Sequence, residues 1–282
     1  MPRALSWLAL TVYFAAVIVW SWNPTPLAQL LAAVAILGAF VHGGIAYGWR
    51  AVTVFLLICL VVTFSIENLG VATGFPFGRY HFETGAGLPH IGAIPVIVGF
   101  LWFGMGYFSW AVAAILLGGA DHRLGETRNL ILLPIAAALA MTFWDLVMDA
   151  PESTIAHAWI WHEGGTWFGV PLTNFAGWLL TAWLFCQGFA LYLRRAQNMR
   201  LQNRAMGAVA ILFYLSAGLT HLTPWLMRQS GRVADAAGHV WVVGDLRQGA
   251  VITLFLTMVP VSLLAALRLA RRPFEDSIID IQ

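Results

Sequence analysis

Apolar runs of about twenty residues, enough for a helix to cross a hydrocarbon core of roughly 30 Å, recur along the chain with little between them. They fall at residues 5–22, 27–47, 51–64, 91–117, 130–147, 175–193, 206–227 and 249–269. The third run is short and is expected to extend through Glu67. Backbone groups in lipid must find their hydrogen-bond partners within the segment, so these runs read as helices rather than strands. The expected fold is all-α: a polytopic integral membrane helical bundle of about eight transmembrane helices, forming a single transmembrane domain over residues 1–282. With 60% hydrophobic and 10% charged residues, against roughly 25% charged in soluble domains, a water-soluble globule and a disordered chain are both excluded.

The first run follows Arg3 as a signal peptide would, but Trp20, Trp22, Asn23 and Pro24 come next instead of a small-residue cleavage site, so it is read as a helix. All fifteen basic residues are arginine. With eight helices, arginines 3, 50, 123, 128, 194, 195, 200, 204, 268, 271 and 272 fall on one side, and 79, 228, 232 and 247 on the other. By the positive-inside rule both termini are expected in the cytoplasm, and the cell (inner) membrane of a bacterium is the expected location. A net charge of +2, dispersed along the chain, gives no nucleic-acid footprint. Cys59 and Cys186 lie inside apolar runs and read as small hydrophobes, with no disulfide framework or cysteine metal site.

The connectors are unequal. Those at 65–90, 148–174 and 228–248 lie on the side opposite the arginine-rich loops and are long and rich in Gly, Trp, His and acids. Long loops of this kind tend to carry function, so chemistry is expected in the non-cytoplasmic half.

Ionisable residues inside a span cost about 2.5–3.5 kcal/mol on insertion scales and are functional candidates by default. Asp145 and Asp149, after Trp144, are four residues apart and share one helical face. Two carboxyls that close in low dielectric do not both ionise readily, so the pair can supply one acid and one base. The plainer alternative puts Asp149 at the interface, facing water before Pro151. Glu67, near the end of the third run, is the third buried-acid candidate. Six glycines between Gly70 and Gly92, with Pro76 among them, suit a folded plug or lid turning back into the bundle on Phe75, Phe77 and Tyr80; without a GxxxxGK[ST] pattern it is no phosphate loop. Arg79 is expected to pair with Glu67 or Glu83.

The connector after Asp149 holds His157, Trp159, Trp161, His162, Trp167 and Asn174, with Trp178 beyond. Tryptophans here read as interfacial anchors or as rings that stabilise a cation; Asn174 reads first as a helix N-cap. His221 lies in the seventh run, where packing is the plainer role. The eight histidines form no HxxxH, HxxHH or HExxH pattern, so no metal site is expected. Gly99, Gly104 and Gly106 allow either a polyene close to the backbone or tight helix packing.

Three stretches together, ENLGVATGFPFGRY at 67–80, WDLVMDAP at 144–151 and GVPLTNFAGW at 169–178, resemble the carotenoid biosynthesis membrane-protein family that includes the γ-carotene and bisanhydrobacterioruberin 1,2-hydratases. The resemblance spans roughly residues 60–260; Ala150, standing between Asp149 and Pro151, is a departure from the family's pattern. What it implies is addition of water across the terminal 1,2 double bond of an acyclic, lycopene-like carotenoid end, without a cofactor, with substrate drawn from membrane lipid. On that reading Asp149 is the favoured acid, and Asp145 or Glu67 handles the water. Tyr80, Arg79, Trp144, Trp161, Asn174, Trp178 and His221 are expected around the substrate. A carotenoid cyclase or isomerase would begin with the same protonation, and a lipid-binding protein or transporter is the non-enzymatic alternative. The oligomeric state is left open.

Overall fold

The computed structural model describes residues 27–85, 87–196 and 203–271; the run at 5–22 lies outside the described residues. The helices are α1 (Leu27–Ala46), α2 (Trp49–Thr73), α3 (Val96–Leu116), α4 (Thr127–Asp149), α5 (Leu172–Ala196), α6 (Arg204–Leu219), the short α7 (Leu222–Leu226), α8 (Val243–Leu256) and α9 (Met258–Arg271). Among the described residues, six helical stretches are long and apolar enough to cross a membrane, at Trp49–Thr73, Val96–Leu116, Thr127–Ile155, Leu172–Ala196, Arg204–Leu226 and Val243–Arg271.

Prolines set where these helices break. The run at 206–227 is expected as one span but divides after Leu219, because Pro224 offers no N–H to the Thr220 carbonyl. The last run begins earlier than expected, at Val243, and breaks at Thr257, whose ψ of −78° leaves the helical range; Pro260 can neither bond nor tolerate the Leu256 carbonyl. Pro134 interrupts α4 without breaking it. The carbonyl it orphans, that of Leu130, accepts a bond from Gln187 Nε2 of α5 at 3.3 Å, as a buried backbone acceptor requires.

Helix α3 forms the centre: Trp102 through Ile115 are buried on every face. It packs against α1, α2, α4, α6 and α9, while α4 and α5 form the most extensive helix pair. Gly99 lies against Phe64 and Leu60, Gly106 against Phe185; both positions serve close helix packing rather than a bound chain. The outer faces present Leu57, Val61, Ile135, Ile252, Phe255 and Leu264, an apolar belt that suits lipid rather than water.

The three long connectors are not structureless. Each contributes to a two-stranded antiparallel ribbon at one end of the bundle. Strand β1 (Tyr80–Phe82) pairs with β4 (Trp159–Trp161), matching Tyr80 to Trp161 and Phe82 to Trp159; β2 (His90–Ile91) pairs with β3 (Ile94–Pro95), and β5 (Arg232–Ala234) with β6 (Val240–Val242). The β1–β4 ribbon joins two connectors distant in sequence, and His81 Nδ1 and His162 Nε2, 2.7 Å apart, clip its outer face. At the bundle's other end Tyr47 donates to buried Asp121 at 2.8 Å, and His42 bridges Tyr107 to the Met206 carbonyl.

The glycine-rich segment folds inward as expected, but on two feet rather than three. Phe77 and Tyr80 are buried while Phe75 stands exposed, because the turn at Gly74, with φ +83°, carries it outward. Phe77 is wedged between two glycines. A Cβ on Gly70 of α2 would sit 2.8 Å from its ring, and one on Gly177 of α5 would overlap it. Gly177→Ala is therefore expected to lift Phe77 and cost about 1–3 kcal/mol. Thermal unfolding in detergent checks this, with Gly188→Ala on the same helix as the milder comparison.

Candidate active site

Beneath the β1–β4 ribbon, carboxyl groups from two helices meet. The last turns of α4 bring Asp145 and Asp149 onto one face, 0% and 1% exposed. Beyond Asp149 the helix widens into a π-helical turn, Ala150–Ile155. Pro151 cannot donate back to the Val147 carbonyl, and the turn closes with the wider bond from Ala156 N to Pro151 O at 3.0 Å. The Ser153 hydroxyl donates to the Asp149 carbonyl at 2.8 Å.

Asn174 ties the two acids together. Its Nδ2 donates to Asp145 Oδ2 at 3.0 Å and to Asp149 Oδ2 at 2.5 Å. It is not an N-cap: α5 begins two residues earlier, at Leu172 behind Pro171, and the Asn174 side chain turns into the bundle. Asp149 Oδ1 accepts from Trp159 Nε1 at 3.1 Å and Trp161 Nε1 at 3.2 Å. Both oxygens of Asp149 are thus engaged. Asp145 Oδ1 and Asn174 Oδ1, by contrast, are buried with no hydrogen-bond partner among the described residues.

Glu67 comes from α2. Its Oε1 accepts from Trp102 Nε1 of α3 at 2.9 Å, and its Oε2 accepts a short bond from the Tyr80 hydroxyl. Burial, reinforced by the carboxyl beside it, pushes the Tyr80 phenol far above its ordinary range, so the hydroxyl remains the donor. Glu67 lies within electrostatic range of both aspartates.

Aromatic rings wall the cluster. Tyr80 lies 4.9 Å from Trp161, and Trp102 stacks on Trp178 at 4.0 Å with 18° between planes. Trp144 meets Trp178 edge-on at 5.7 Å. Trp144 and Trp178 are half-buried, whereas Tyr80, Trp102 and Trp161 are buried.

The structure therefore brings Glu67, Tyr80, Trp144, Asp145, Asp149, Trp161, Asn174 and Trp178 into one neighbourhood. Two candidates stand apart. Arg79, just before β1, is exposed and pairs with Glu163 at 3.8 Å rather than with Glu67 or Glu83. His221 is buried at the break between α6 and α7, and its charged neighbour is Arg247. Trp102, which holds Glu67, was not among the sequence candidates, and Trp159, which holds Asp149, stood there only as an interfacial anchor or a cation-stabilising ring. Their one signal is general: a buried indole N–H needs an acceptor, and in so apolar a chain the acids supply it.

A family model described as carotenoid biosynthesis protein matches residues 24–231. The chain belongs to this family. Among curated relatives, the bisanhydrobacterioruberin hydratase of Haloarcula japonica is 29% identical over 126 residues, a stretch covering 45% of this chain and 40% of the relative. No solved structure matches the chain. Family membership and the apolar helices together describe an integral membrane protein of the carotenoid biosynthesis family.

Proposed function

We propose that this protein is a carotenoid 1,2-hydratase, adding water across the terminal double bond of an acyclic carotenoid end to give a tertiary alcohol. The observation that carries the reading is a pair of buried carboxyls, Asp145 and Asp149, bridged by one amide and walled by indole rings. An alkene offers no charge to grip, so its hydration needs a positioned acid in a dry site and a polarisable wall for the cation that follows.

The hydrogen bonds divide the labour. An ionised carboxylate only accepts, and donors engage both oxygens of Asp149 and both of Glu67. Asp145 receives one donor, on Oδ2, and its Oδ1 is unengaged, which suits the protonated form. This reverses the expectation that Asp149 is the acid. Asp145 protonates C2, the π electrons forming the new C–H bond. Tertiary cation character develops at C1 against the faces of Trp144, Trp178, Trp161 and Tyr80. Water adds at C1 and gives its extra proton to Asp149, while Glu67 contributes fixed negative charge and positions Tyr80 and Trp102.

A carotenoid chain is longer than the bilayer core is thick, so it enters from lipid past Trp144 and Trp178, its reacting end beneath the ribbons. The arginine-rich end faces the cytoplasm, in a bacterial cell membrane. Expression in a lycopene-accumulating host, with mass analysis of the pigments, tests the reading. Pigment heavier by one water is the expected result. Isomerised or cyclised pigment of unchanged mass would replace the hydratase by an enzyme sharing only the protonation step, and unaltered pigment would remove the proposal.

A further inference from the structure

Beside the carboxyl cluster lies a cavity of about 20 Å³ between the π-helical turn and the β5–β6 ribbon. Ser153, Thr154, Trp161, Gly169, Asp235 and Ala236 line it. A single water needs roughly 10–15 Å³ on this measure and two to four polar partners; the cavity has both. The Asp235 side chain is 5% exposed and is held in place by Trp241 Nε1 at 2.9 Å and by the His239 N–H at 2.9 Å. Thr154, which lines the cavity, donates its hydroxyl proton to the Phe168 carbonyl at 2.7 Å, so its oxygen is left free to accept from a water. Gly169 keeps one corner open: a Cβ there would sit 2.8 Å from Thr154 Oγ1 and 3.2 Å from Asp235 Cβ.

Two lining residues belong to both compartments. Trp161 donates its Nε1 to Asp149, and Ser153 donates to the Asp149 carbonyl. The cavity is thus one side chain away from the carboxylate assigned above as base, and Ala236, on its far side, is exposed. We propose that this cavity is a water site that loads the hydrating water toward Asp149 from the aqueous side, while the polyene enters from lipid. The proposal rests on the hydratase reading and adds where the co-substrate waits. Its physical need is clear: open water in the slot would solvate the Asp145 carboxylate and leave the group ionised, without the proton that C2 needs, whereas one water held behind Trp161 reaches the cation without wetting the alkene.

Filling the cavity should separate protonation from hydration. When water is withheld, the C1 cation loses a proton from C2 back to the carboxylate and the alkene returns. In D2O the Asp145 carboxyl carries deuterium, so each such cycle forms a C–D bond, breaks a C–H bond and labels unhydrated polyene. Ala236→Phe is the plug, and Val240→Phe, exposed on the same ribbon but outside the lining, is the comparison. Membranes holding each form are incubated with lycopene in D2O, and hydrated and unhydrated pigment are measured by mass. The expected result for Ala236→Phe is hydration reduced about tenfold or more, with deuterium exchange undiminished or raised, and for Val240→Phe parental values of both. Undiminished hydration in Ala236→Phe, a matching loss of exchange, or the same deficit in Val240→Phe overturns the water site. A parent that neither hydrates nor exchanges is a different result: it removes the hydratase reading itself, and this proposal falls with it.

Discussion

Asp145→Asn is expected to abolish hydration and deuterium exchange together, each by about 10²–10⁴-fold, the usual contribution of a positioned general acid. The amide keeps the volume of the carboxyl, so the buried site at the end of α4 should still fold; what is lost is the proton that reaches C2. Asp149→Asn is the informative contrast. Its hydration should fall by a similar factor, while exchange into unhydrated polyene persists, because the acid remains and only the acceptor of the water's proton has gone. The distinction follows from three indole and amide donors converging on Asp149 and one donor reaching Asp145. Were Asp149→Asn to lose exchange while Asp145→Asn kept it, the two roles would have to be exchanged. Full activity in both variants would end the acid–base mechanism.

Asn174→Leu is expected to damage stability and turnover at once. The amide is 1% exposed and donates to both aspartates, so an apolar replacement leaves Asp145 without any hydrogen-bond donor and Asp149 short of one. Losing two such bonds at buried acids corresponds to about 2–5 kcal/mol, read as a lower unfolding temperature in detergent. Carboxyls no longer held at fixed separation should also lose about a hundredfold in turnover, the effect of a displacement near 1 Å. Asn174→Gln, which keeps the donor on a longer arm, separates the two effects: stability should recover in part while turnover stays low. Parental behaviour of Asn174→Leu would show that the bridge has no role.

Much of this site is legible in the sequence because charge in lipid is costly. Asp145, Asp149 and Glu67 stand out by position alone, and helical spacing places the two aspartates on one face. Asn174 stands out only as a capping candidate, since its true role depends on α5 lying beside α4, a tertiary fact that spacing does not encode. The roles of Trp102 and Trp159 are invisible for a related reason: an indole in an apolar chain looks like core or interfacial anchor until its acceptor is known. Arg79 misleads because a charge in a motif suggests an inward role, whereas the residue precedes β1 and stands exposed beside Glu163. The helices follow from apolar runs, and their breaks at Pro224 and Pro260 from missing backbone donors. The ribbons are too short, at two or three residues a strand, to announce themselves by alternation.

The Asn174 bridge has a consequence for repeated turnover. If hydration runs as proposed, each cycle leaves Asp145 stripped of its proton and Asp149 carrying one, so the enzyme ends in the mirror image of its starting state, having taken up one water and no additional proton. Because one amide grips both acids, they are held near enough for that proton to return locally, and the acid can be reloaded without drawing a further proton from bulk solvent.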